Sequence, residues 1–122
     1  MDSTGSRKET GKIGEDIAQR FLEGKGFRIL DRNYRKPWGE IDIVALKRGV
    51  VRFVEVKTVS RENSDYRPEE LVDERKLRKI SRTASLYMES RRDEREYQID
   101  VVGVILNEKT HTARCRLFEQ AL

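Results

Sequence analysis

Two short stretches place charged side chains inside otherwise apolar sequence. The first is Gly39-Glu40-Ile41-Asp42-Ile43-Val44-Ala45, and the second is Phe53-Val54-Glu55-Val56-Lys57. Each reads as a strand with apolar residues on both faces, as central strands have. At period two, Glu40, Asp42, Val44 and Leu46 share one face and Ile41, Ile43 and Ala45 the other. Val51, Phe53, Glu55 and Lys57 likewise oppose Val54 and Val56. A carboxylate in such a setting is costly unless it is paired or binds a metal, and several carboxylates together repel. A divalent cation relieves both problems. Mg2+ takes oxygen ligands and keeps waters, so one or two carboxylates suffice. Asp42 and Glu55 are the expected ligands, with Glu40 and the Val56 carbonyl as additional oxygens. Lys57 can orient an attacking water and help deprotonate it, while the metal stabilises charge on a phosphate. The alternative is a buried ion pair of Lys57 with Glu55 or Asp42 that serves only the fold. Buried ion pairs are weak stabilisers, so structure alone gives little reason for such a cluster.

These paired motifs resemble the YraN-like family of predicted bacterial endonucleases. More distantly they are similar to archaeal Holliday-junction resolvases and the restriction-endonuclease-like PD-(D/E)XK superfamily. Gly14-Glu15 with Ala18, Gly26-Phe27 with Leu30, Arg32-Asn33-Tyr34, Lys76 and Asp100-Val101-Val102 also match. The resemblance implies a restriction-endonuclease-like α/β fold and Mg2+ or Mn2+ as cofactor. It implies Asp42 and Glu55 as ligands, Lys57 as the catalytic lysine, and Glu15 approaching from the first helix. The segment 59–72 matches the family only loosely, and it would flank the substrate. Helical geometry agrees about Glu15: at about 100° per residue it lies about 20° from Leu22, at the edge of the apolar stripe.

The elements that must position these groups follow from periodicity. Residues 1–6 are small and polar and are expected to be disordered, leaving 7–122 as one domain. Ser6 and Glu9 have capping-box spacing. Ile13, Ile17, Ala18, Phe21 and Leu22 then recur at helical spacing, and Gly24 and Gly26 supply a stop, which predicts a helix over about 8–24. A strand from Phe27 to near Asn33 and a turn at Arg35-Lys36-Pro37-Trp38-Gly39 follow. Strands over 40–46 and 50–58 form a hairpin through Lys47-Arg48-Gly49. Pro68 with Glu69 and Glu70, or Asp73, can open a second helix whose apolar face is Leu77, Ile80, Ala84, Tyr87 and Met88. Strands over 97–106 and 113–118 close the chain. The order predicts a central mixed sheet of about five strands flanked by helices.

The second helix carries Arg75, Arg78, Lys79 and Arg82 as one basic stripe, which can grip phosphates or simply face solvent. Lys76 lies at the border of the apolar face and is the favoured phosphate contact. Arg35, Lys36 and Trp38, just before Glu40, suit an unstacked base or a single strand; Trp38 could equally cover a core edge. Asp100 can pair with a basic residue near the site or cap its strand.

The 122 residues hold 26 basic and 22 acidic side chains, a net charge of +4 that fits a polyanionic partner without requiring one. One cysteine excludes an internal disulfide and a cysteine-cluster zinc site, and one histidine, His111, lacks the spacing of a triad or a multi-histidine site. No apolar run is long enough to span a membrane. The opening residues are polar, so no signal peptide and a cytoplasmic setting are expected. The expected function is metal-dependent hydrolysis of DNA phosphodiester bonds, on branched or repair intermediates. The alternative is a non-catalytic nucleic-acid-binding module. A junction-cutting enzyme would be expected to form a homodimer, because its substrate has two equivalent strands.

Overall fold

The computed structural model describes residues 3–60 and 73–122. Its elements are α1 (Ser3–Gly24), β1 (Arg28–Lys36), β2 (Gly39–Lys47), β3 (Val50–Ser60), α2 (Glu74–Ser90), β4 (Tyr97–Asn107) and β5 (Thr112–Phe118). The five strands form one sheet in sequence order. Pairing is antiparallel except between β3 and β4, which run parallel because α2 carries the chain back between them. The result is the expected mixed α/β sheet with a helix on each face.

Alternation along the strands supplies the two faces. Val51, Phe53, Ile99 and Val101 pack under α2 against Leu77, Ile80, Ala84, Tyr87 and Met88. Val54, Val102 and Val104 pack under α1 against Ala18 and Leu22. Ile13, expected on the apolar face of α1, is instead exposed. The Tyr87 ring meets Tyr34 and Phe53 edge-on at centroid distances of 5.0 and 5.4 Å, which fixes α2 over the sheet. Asp73 caps α2 by accepting a hydrogen bond from the Lys76 backbone N–H at 2.8 Å. The other candidate start, Pro68 with Glu69 and Glu70, lies outside the described residues. α1 begins at Ser3, ahead of the expected 8, so Ser6 lies within the helix and not at its start.

Two further expectations change. The turn before β2 is only Pro37-Trp38, because Arg35 and Lys36 pair across to Glu40 and Gly39. More consequentially, β2 does not alternate throughout. Ile41 packs in the α2 core together with Val44, whereas Ile43 and Ala45 pack under α1. Pairing of β2 with β3 stops at Ile43↔Val54, while pairing with β1 continues to Gly39. Beyond Ile43 the β1–β2 pair is therefore a free two-stranded ribbon, which twists more than a sheet does. Asn33, at φ 51°, takes the left-handed conformation that asparagine tolerates, and the ribbon turns over there. Arg32 faces α1 and Tyr34 faces α2, two residues apart.

Candidate active site

Asp42 sits at the fork where β2 leaves β3. Its Oδ2 accepts a hydrogen bond from the Val56 backbone N–H at 2.8 Å, so a carboxylate takes the place of the strand that has departed. Burial, and next the charge of Glu55, push the Asp42 carboxyl up to about 6. The Val56 N–H and the Lys76 ammonium oppose that rise, and Glu40 adds to it. Glu55, on the neighbouring strand, is buried, and its Oε1 lies 2.7 Å from Lys76 Nζ. Burial draws the Lys76 ammonium down, but Glu55, Asp42 and Glu40 more than compensate and hold it above its ordinary value.

Glu15 enters from α1. That helix can approach β3 because residue 14 is glycine: a Cβ there would stand 1.8 Å from Thr58 Oγ1. Glu15 lies 3.5 Å from Arg32 and lines a groove of about 680 Å3 with Glu55, Val56, Lys57, Lys76 and Glu108. Burial and then the charge of Asp42 raise its carboxyl above the usual range, against the pull of Arg32.

Of the residues read from sequence, Glu15, Asp42, Glu55, Val56 and Lys57 are thus brought together, with Lys76 added as expected. The proposed fold-only pairing of Lys57 does not form: Lys57 has no ion pair with any described residue, and Lys76 is the cation on Glu55. Glu40 is exposed and paired with Arg35 instead of being buried with Asp42 and Glu55, although its charge reaches both Asp42 and Lys76. Asp100 is removed from the site. It is fully buried toward the start of β3 and β4 and is held by Arg52, Gln98 and the Gln120 N–H. Arg32 and Thr58 are supporting residues that sequence reasoning missed as such. Their signal was present in the adjacency of Arg32 to Asn33 and in the glycine before Glu15.

Among the described residues no three Asp, Glu, His or Cys side chains converge on one point. The carboxylates of Asp42 and Glu55 interact electrostatically, and oxygen donors of this kind suit a hard cation that retains waters.

A second cleft, of about 520 Å3, opens on the α2 side of the fork between that helix and the Pro37-Trp38 turn. Five of the residues expected from the sequence to contact nucleic acid line it: Lys36, Trp38, Arg75, Lys76 and Lys79. Arg35 does not, being turned to Glu40. Arg78 and Arg82 lie on the outer face of α2 in a shallow depression. Among the described residues no helix is long and apolar enough to cross a membrane.

Residues 14–104, which contain every candidate site residue, match the family model described as uncharacterised protein family UPF0102. A relative from Dictyoglomus thermophilum is 41% identical over 104 residues, covering 84% of this chain and 86% of its own. One from Moorella thermoacetica is 40% identical over 119 residues, covering 97% and 98%. One from Syntrophotalea carbinolica is 44% identical over 102 residues, covering 83% and 82%. Each is named only as a UPF0102 protein.

Proposed function

The chain belongs to the uncharacterised family UPF0102, and from that premise we propose that it is a metal-dependent endonuclease of restriction-endonuclease-like fold, hydrolysing DNA phosphodiester bonds. The observation that carries this reading is the fork. Asp42 lies where β2 has parted from β3, near buried Glu55, and burial, followed by the charge of Glu55, makes Asp42 reluctant to ionise. A fold does not need two carboxylates in that position, whereas a divalent cation does. Asp42, Glu55 and the Val56 carbonyl would hold Mg2+ or Mn2+. The ion would supply positive charge to the phosphate as it develops negative charge in the transition state.

The chain's own groups do the rest. Lys57, with no carboxylate partner among the described residues, has its ammonium available to orient the attacking water and the phosphate. Glu15, with its raised affinity for a proton, stands across the groove where it can take one from that water. Lys76 can transfer from Glu55 to a phosphate oxygen of the substrate. Branched or repair intermediates are the favoured substrates.

One observation favours a second reading. The Lys76–Glu55 contact neutralises Glu55 without any metal. A non-catalytic nucleic-acid-binding module would need nothing more.

Labelled single-stranded, duplex, flapped and four-way-junction DNA, and RNA, incubated with Mg2+ or Mn2+, separate the two. Wild type is expected to cleave at least one DNA and Glu55→Ala none, with both proteins folded. Salt-dependent binding without cleavage of any substrate would leave the binding module as the function.

A further inference from the structure

The cleft beside Trp38 differs from the carboxylate groove in chemistry. Its walls carry four cations, Lys36, Arg75, Lys76 and Lys79, and two anions, Glu40 and Asp73. Glu40 is paired with Arg35 and Lys76 with Glu55, which leaves Lys36, Arg75 and Lys79 against Asp73, so the cleft presents net positive charge to a ligand. Its back is closed: Gly39 approaches α2 so tightly that a Cβ there would stand 2.0 Å from Thr83 Oγ1. At the mouth Trp38 is 52% exposed, although it is large and apolar. It follows Pro37 in a two-residue turn whose ends are locked by the Lys36↔Gly39 pairing, so the indole is carried on a stiff support. Lys76 lines both this cleft and the groove holding Glu55, which makes the two spaces neighbours across one side chain.

We propose that this cleft is a subsite for one unpaired nucleotide of a single-stranded DNA segment. Its base stacks on Trp38, and its flanking phosphates lie against Lys36 and Lys79. Stacking on an aromatic side chain needs a base whose face is free, which a paired base inside a duplex does not offer. Cations spaced along the cleft then track the backbone without reading sequence. The substrate class is thereby narrowed, resting on the phosphodiesterase reading, to DNA with unpaired nucleotides next to the scissile bond. Intact duplex is disfavoured.

Trp38 is the chain's only tryptophan, so its fluorescence reports the subsite alone. Full-length protein in EDTA would be titrated with an oligothymidylate of about twelve nucleotides, within the span one such domain covers. A blunt duplex of equal length serves beside it. Quenching by the single strand, weakened by salt, is expected, with little quenching by the duplex. By anisotropy of labelled oligothymidylate, Trp38→Ala should lose affinity about tenfold, as loss of one stacked base implies. Trp38→Phe should retain most of it. Unchanged Trp38 emission on saturation, equal quenching by duplex, wild-type affinity in Trp38→Ala, or no binding would each overturn the subsite. Because EDTA removes catalysis, failure of cleavage in the metal assay leaves this result untouched. Conversely, duplex cleavage with silent Trp38 would refute the subsite while keeping the nuclease.

Discussion

Lys76 Nζ lies 2.7 Å from Glu55 Oε1, so a metal ion bound at that oxygen would have to displace it. Glu55 is 8% exposed at its side chain and Lys76 52%, so the carboxylate depends on the lysine far more than the reverse. A buried carboxylate without a countercharge is strongly unfavourable. Lys76→Met should therefore destabilise metal-free protein by about 1–3 kcal/mol, the range for stranding a buried polar group, since the pair is partly solvent-screened. Mn2+ should raise the melting temperature of the variant more than that of wild type, because lysine no longer competes and binding to the native state alone stabilises it. Melting curves with and without Mn2+ check both. An equal response of the two proteins would mean that the ion does not bind at Glu55.

Asp42 leads to a pH prediction. Its carboxyl, ordinarily near 3.8, is raised to about 6 by burial and then by the charge of Glu55. The native state therefore keeps a proton that the unfolded chain has already lost, and its contribution to stability declines as pH rises from about 4 to about 6. Asp16 and Asp93, both lowered by their arginine partners, act in the opposite direction, so the total profile mixes the two. The difference between wild type and Asp42→Asn isolates the effect, because asparagine retains an oxygen for the Val56 N–H. In EDTA the variant should gain on wild type by about 2–3 kcal/mol between pH 4 and 7, two pKa steps of about 1.4 kcal/mol each at most. Urea titrations at both pH values measure it. A pH-independent difference would place Asp42 in an unstrained setting.

The residues that converge on the candidate site were legible in the sequence, but the geometry that brings them together was only partly so. Apolar runs around Asp42 and Glu55 disclosed two central strands, and Lys47-Arg48-Gly49 disclosed their hairpin, which together bring the carboxylates to one place. The fork was not legible. Strict alternation assigns Ile41 to the face of Ile43, but the two pack in different cores because the β1–β2 ribbon turns over near Asn33. A tripeptide Arg32-Asn33-Tyr34 does not announce that asparagine will take a positive φ; tertiary packing of Tyr34 under α2 selects it. For the same reason Glu40, two residues from Asp42, seemed to belong beside it and instead follows the ribbon away to Arg35. That Lys76 points toward the site was read from its border position on an amphipathic helix, which is a local property. Its partner, Glu55, is not.

Gly14 sets how closely α1 approaches the site. A methyl group there would stand 1.8 Å from Thr58 Oγ1 and 2.7 Å from Thr58 Cβ, so helix or strand must move. Gly14→Ala should cost about 1–3 kcal/mol, as overpacking does, even though alanine is the better helix former. It should also lower DNA cleavage, because Glu15 is carried away from the groove. Thr58→Ala in the same chain removes the nearest clash and should recover part of both losses. Denaturant unfolding and cleavage rates of the single and double variants give the coupling. Additive effects would show that the two positions do not meet.

Asp100 provides the contrast with Asp42, since both are acidic and lie on central strands. Asp100 is 0% exposed, yet it is supplied with donors: Gln98 Nε2 at 2.8 Å and the Gln120 N–H at 3.0 Å on one oxygen, and Arg52 at 3.3 Å on the other. Arg52 also binds Glu119 at 2.9 Å, and the Ala121 N–H donates to the Ile99 carbonyl, so the C-terminal residues are tied down over β4. Such a carboxylate is satisfied by protein and has no use for a metal. Asp100→Ala should therefore destabilise by about 3 kcal/mol, the lower end of the loss expected when one partner of a buried pair is removed, because Glu119 still holds Arg52. Asp100→Asn, which keeps an acceptor for Gln98 and the Gln120 N–H, should lose less. Neither should change the Mn2+-induced rise in melting temperature, whereas Asp42→Ala should abolish it. Calorimetry with and without Mn2+ on the three variants tests the distinction. Loss of the metal response in Asp100→Asn, with the fold retained, would move the ion to Asp100.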